Sequence, residues 1–149
     1  PGLVNLIGIE SPGLTSSVPI ARMVRDIISN KEDLIEKKDF ISTRKGIVPF
    51  RDLTLEQKEQ LIKECPDYGE IICRCEGITK KEILDAIHNP LGVTTLAGIK
   101  YRARAMMGRC QGGYCLTRIV DILKEQKGIE PEEVTMRGHN SKLFTGRVK

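Results

Sequence analysis

Apolar positions recur along most of this chain at helical spacing, in short runs set off by capping and stop signals. The opening is different: Leu3, Val4, Leu6, Ile7 and Ile9 form an apolar run with strand character. A turn of small residues, Glu10-Ser11-Pro12-Gly13-Leu14-Thr15-Ser16-Ser17, follows, and residues 18–29 then have the apolar spacing of a helix. A lone strand leaves both edges unpaired. Residues 3–9 are therefore expected to belong to a sheet whose other strands lie upstream, in a longer protein of which this chain is a piece. Residues 30–51 are charged, with Phe40, Ile41, Ile47, Val48 and Phe50 as sparse apolar anchors. They predict a loosely packed linker with a short strand near Ile47.

From Thr54 onward the signals are sharper. Thr54-Leu55-Glu56-Gln57 fits a capping box, in which the cap hydroxyl and the side chain three residues on serve each other's backbone N–H groups. The helix it opens should end at Cys65-Pro66, since proline disfavours helical geometry in the residue before it. Residues 67–70 read as a turn and 71–75 as extended. Thr79-Lys80-Lys81-Glu82 is a second capping box, opening a helix that closes near Asn89-Pro90. Thr94 or Thr95 opens the next, predicted to run through Leu96, Ile99, Tyr101 and Ala105 to a stop at Gly108. A last helix carries Leu116, Ile119, Val120 and Leu123 with Cys115 on its first turn, and residues 130–134 add one further turn. Residues 135–149, polar and basic, are expected to be poorly ordered.

The 149 residues suffice for one ordinary domain, or a small one with an appended segment. Lysines and arginines give a net charge of +4 but alternate with acids, which makes a solvated surface rather than a nucleic-acid footprint. No apolar run approaches a bilayer span and no secretory signal opens the chain, so a cytoplasmic location is expected. In that setting five cysteines favour metal binding over disulfides.

Four of these cysteines make two short pairs, Cys73-Arg74-Cys75 and Cys110-Gln111-Gly112-Gly113-Tyr114-Cys115. Cys65, at a helix end, reads as a spare, semi-buried thiol. Joining Cys73 to Cys75 by a disulfide would close a strained ring. Zinc accepts four thiolates, but its usual sites present C-x(2–4)-C at both ends, and one end here is C-x-C. A [2Fe-2S] cluster spreads four thiolates over two irons, which an extended C-x-C and a C-x4-C around a Gly-Gly turn can span. Gly112 and Gly113 would also let backbone N–H groups approach sulfur. Arg74 and Arg109 could stabilise a reduced cluster through charge, or be plain surface arginines. Zinc and iron-sulfur both remain open from the residues alone. His88 and His139 sit in no catalytic constellation and read as surface residues.

Ile72-Cys73-Arg74-Cys75-Glu76 with Gly108-Arg109-Cys110-Gln111-Gly112-Gly113-Tyr114-Cys115 resembles the bacterioferritin-associated-ferredoxin type of [2Fe-2S] domain, a small all-helical module. The C-x4-C is longer than the C-x2-C of free-standing members and is similar to versions fused to flavoprotein dehydrogenases. Residues 8–16 and the following helix resemble the last strand and helix of the FAD domain in glycerol-3-phosphate dehydrogenase and D-amino-acid-oxidase-like flavoproteins. That resemblance implies Gly13, Leu14 and Thr15 as backbone donors to the pyrimidine edge of the flavin, in agreement with the dipole at a helix N-terminus. Judged on residues alone, an ordinary capped strand-to-helix turn is the simpler account of the same stretch.

Together these readings imply a mainly α chain: an incomplete FAD-domain end over residues 1–30, a linker with one helix over 31–65, a [2Fe-2S] module over 66–134 with Cys73, Cys75, Cys110 and Cys115 as ligands, and the tail. The expected function is the electron-transfer part of an FAD-dependent, glycerol-3-phosphate dehydrogenase-like enzyme. Its partners would be the upstream FAD domain and an electron-accepting subunit, quinone-linked at the membrane surface in some relatives. Without the upstream dinucleotide-binding loop this stretch alone is not expected to hold FAD firmly or to turn over substrate. The rival reading is a zinc- or cluster-stabilised helical binding module with no redox role.

Overall fold

A computed structural model describes residues 2–146, so that Pro1 and the end of the predicted tail, residues 147–149, lie outside the described residues. The chain divides into two compact units, Pro1–Arg44 and Lys45–Lys149. The first contains one helix, α1, Ser17–Ser29, with no buried residue. The run at residues 3–9 expected as a strand joins no ladder, and Leu3 and Ile7 are exposed. The reason is physical: among the described residues of this unit no second strand meets its backbone groups, and a single strand gains too little to hold extended geometry.

The second unit is built on four helices and one hairpin. Helix α2, Leu55–Glu64, carries the expected capping box, with both the Thr54 hydroxyl and the Gln57 side chain engaged. It stops before Cys65-Pro66, and Pro66–Gly69 turn as a short 3-10 helix. The strand predicted near Ile47 is absent; a 3-10 turn forms instead at Phe50–Asp52, because Phe50 is drawn into the core and stacks on Tyr68 with ring centroids 5.6 Å apart. Strand β1, Ile71–Cys73, pairs antiparallel with β2, Ile78–Thr79, in a register that slips between Ile71 and Cys73. The irregularity ends the ladder at Cys73 and leaves residues 74–77 as the turn that carries Cys75.

Helix α3, Lys80–Ile87, opens on the second capping box, in which a buried Glu82 accepts from both the N–H and the hydroxyl of Thr79. Helix α4, Leu96–Ala103, is shorter than predicted. It ends at Arg104, which takes a left-handed conformation with φ of 61°, so that Ala105 leaves the helix yet is fully buried. Helix α5, Leu116–Lys127, closes on Gly128 at φ 65°. α3 packs against both α4 and α5, around Ile72, Ile83, Ile87, Leu96, Ile119 and Leu123.

The further turn expected after α5 forms at Pro131–Glu133, and residues 135–146 are not the loose tail expected. Val134 is fully buried, Met136 and Phe144 pack on the core, and Thr135 bridges Lys142. The carbonyls of Thr135 and Met136 accept the N–H groups of Leu96 and Ala97 at 3.1 and 2.9 Å. These donors belong to the first turn of α4, where no intrahelical partner exists. A polar composition concealed this use, because the bonds are made by main-chain atoms and any residue can supply them.

Candidate metal centre

The turn after β1 and the loop between α4 and α5 bring the four predicted cysteines together as two facing pairs. Cys115, at the N-cap of α5, is buried and hydrogen-bonded to the equally buried Cys73. Cys110 hydrogen-bonds Cys75 nearer the surface, where Cys75 is exposed. All four, and Cys65, are free thiols; Cys65 is half-buried at the C-cap of α2. Among the described residues no three His, Cys, Asp or Glu side chains form a set compact enough for a single ion. The arrangement is of two pairs, not one tetrahedral knot.

Backbone geometry aims donors at the sulfurs. The N–H groups of Tyr114 and Gly112 act on the Cys110 thiol and, with Cys75, draw it below its ordinary value, while the Gly113 N–H donates to the Cys110 carbonyl at 2.8 Å. Gly112, with φ of +93°, adopts a conformation side chains resist, and a Cβ there would come 3.3 Å from Met106 Cγ. At Gly108 a Cβ would overlap that of Cys75, so this glycine permits the close approach of the two thiol loops. The predicted uses of the Gly-Gly turn and of Gly108 thus differ: the first aims donors, while the second clears space rather than ending a helix.

Around Cys115 the balance is reversed. Burial first, then the charge and the hydrogen bond of Cys73, push its thiol up to about 11, while the N–H of Met106 acts in the other direction. Met106, at φ 63°, is a contact no sequence signal revealed, since nothing in Ala105-Met106-Met107 marks a left-handed residue. Arg74 lies over the Tyr114 ring, 4.3 Å from its centroid, with Arg118 at 5.9 Å on the same ring. Arg109 is exposed and, among the described residues, makes no ion pair.

Residues 71–125 match the family model of the BFD-like [2Fe-2S] binding domain. The match spans 55 of the chain's 149 residues. All four paired cysteines fall inside the [2Fe-2S] binding domain so defined, and Cys65 falls outside it. Four thiols in two pairs, with N–H groups converging on Cys110, fit the group the family holds. The chain is 44% identical over 99% of its length to a glycerol 3-phosphate dehydrogenase of Caloramator mitchellensis, covering 31% of that protein. It is 34% identical over 56% of its length to the anaerobic glycerol-3-phosphate dehydrogenase subunit A1 of Haloferax volcanii, covering 13% of it. A hydrogen cyanide synthase subunit, HcnB, of Pseudomonas protegens is 32% identical over 71% of the chain and 23% of its own length. The chain thus spans no more than about a third of these relatives. No solved structure matches it.

In the first unit, residues 9–15 curl into a shallow open depression. Of the three donors proposed there, Gly13 already gives its N–H to the Glu10 carbonyl at 2.6 Å. Leu14 and Thr15 make no such backbone bond among the described residues. Neither helix α1 nor any other helix of the described residues is long and apolar enough to cross a membrane.

Proposed function

We propose that this chain is the electron-transfer portion of an FAD-dependent dehydrogenase of the glycerol-3-phosphate dehydrogenase type, with Cys73, Cys75, Cys110 and Cys115 as the ligands of a [2Fe-2S] cluster. The observation that carries the reading is the pairing of these thiols, one pair buried and one at the surface, inside the region matched to a [2Fe-2S] family. Such a cluster gives and takes one electron at a time, the counterpart of a two-electron flavin. Cys73 and Cys115 would anchor it from the buried side. Cys75 and Cys110 would present its outer edge to an acceptor, and the N–H groups of Tyr114 and Gly112 would offset negative charge gathering on the Cys110 sulfur.

Residues 1–30 we assign to the end of the FAD domain, with Leu14 and Thr15, and Gly13 if its turn opens, as donors to the flavin edge. Residues 31–65 join it to the module at 66–134. The FAD, the substrate pocket and the accepting subunit belong to the rest of the parent protein, a cytoplasmic enzyme in this reading.

The test is anaerobic purification followed by iron and sulfide analysis and visible absorption. Two irons and two sulfides per chain, lost on changing any of the four cysteines to serine and kept in Cys65→Ser, are expected. A colourless protein holding one zinc after strictly anaerobic preparation and reconstitution would overturn the assignment.

A further inference from the structure

One carboxylate stands closest in sequence to the thiol turn, and an arginine from outside the matched domain holds it. Glu76 follows Cys75 directly, and its side chain is only 18% exposed. Its Oε2 accepts from Arg51 Nη1 at 3.0 Å, and Arg104 Nε stands 4.0 Å from the same oxygen. Its Oε1 faces Gly108, where an added Cβ would lie 3.3 Å away. Glu76 therefore sits between the two thiol loops, not out in solvent.

Arg51 is itself fixed from several sides. It lies in the Phe50–Asp52 turn, whose Phe50 is buried, and its carbonyl accepts from Lys58 Nζ at 3.0 Å. Its Cβ would be 3.4 Å from a Cβ placed on Gly77. The residue thus reaches back across 25 positions of sequence onto the C-x-C turn. A half-buried carboxylate beside a site that gains negative charge on reduction is unfavourable unless a cation faces it.

We infer that Arg51 is a positioning residue for the cluster: it holds Glu76 against the thiol loops and cancels its charge, and so raises the reduction potential that Glu76 alone would lower. This rests on the proposed four-cysteine cluster. Among the described residues the side-chain polar partners of Arg51 are Glu76 and Asp52, and no thiol is one of them. Arg104, at the left-handed stop of α4, adds a weaker contact from the other loop.

The test measures midpoint potential by anaerobic spectroelectrochemistry, with iron content, on the full chain and on Arg51→Gln, Glu76→Gln and the double variant. Arg51→Gln is expected to shift the potential negative and Glu76→Gln to shift it positive, with the double variant close to the unmodified chain. Shifts of the same sign, or none, would overturn the inference. Should a single variant lose iron, the double variant is expected to recover it, because neither member of the Arg51–Glu76 pair is then left facing the thiol loops without the other. Failure of the double variant to recover iron would show a packing role instead, and would equally overturn it. Absence of iron from the unmodified chain would strike at the cluster assignment itself, a distinguishable result.

Discussion

Two thiols of one site are pushed in opposite directions by where their backbones lie. Cys110 sits among donated N–H groups and Cys115 in the core. In the metal-free protein, iodoacetamide at mildly alkaline pH is expected to label Cys110 well before Cys115, as read by peptide mass mapping. The Cys115 shift also sets a pH dependence. Its thiol goes from an ordinary 9.0 up to about 11 on folding, so the folded chain keeps its proton where the unfolded chain has lost it. The associated stability is present below about 9 and is lost as pH rises toward about 11. Urea midpoints of the metal-free chain should fall across that window, and less steeply for Cys115→Ser. Gly108→Ala, which drives a methyl into Cys75, should cost about 1–3 kcal/mol and reduce bound iron. The four cysteines were legible in the sequence because thiol spacing is a covalent property. The Arg51–Glu76 bond was not, since two charged residues 25 positions apart look like any others on a mixed-charge surface.

At the scale of the element, the capping boxes carried the most information. Thr54 and Thr79 each predicted a helix start, and both boxes form with all their bonds, because the signal and the structure involve the same four residues. Their surroundings differ: the Thr54 box is exposed and Thr79 is fully buried. Thr79→Ala is accordingly expected to cost ~2 kcal/mol and Thr54→Ala ~1 kcal/mol or less, compared by denaturant unfolding. Where the sequence misled, the cause lay beyond the element. The end of α4 is set by Arg104, an arginine in left-handed geometry that Gly108 seemed better suited to supply. Residues 3–9 have the composition of a strand, yet a strand is made by its neighbour as much as by its own residues.

Over the whole molecule, the matched family covers residues 71–125 but the compact unit begins at Lys45 and includes segments on both sides of the match. Phe50 stacks on Tyr68 from before it, and Val134 is buried from after it. A chain starting at Lys45 should keep the thermal transition of this unit. One starting at Pro66 loses Phe50 and is expected to lose about 3 kcal/mol or more. Neither flanking segment carries a thiol motif, so what ties Phe50 and Val134 into this unit is packing rather than spacing.

The Arg74–Tyr114 stack has an optical side. The chain has three tyrosines and no tryptophan, so near-ultraviolet emission comes from tyrosine alone. Tyr68 is buried and Tyr101 is solvent-facing, while Tyr114 belongs to the Cys110–Cys115 loop itself, with Arg74 over its ring. A visible-absorbing centre at the thiols would drain the emission of Tyr114 before that of the other two. Loading the site is therefore expected to lower tyrosine emission, and Tyr114→Phe to lessen that drop, as read by fluorescence titration with iron and sulfide.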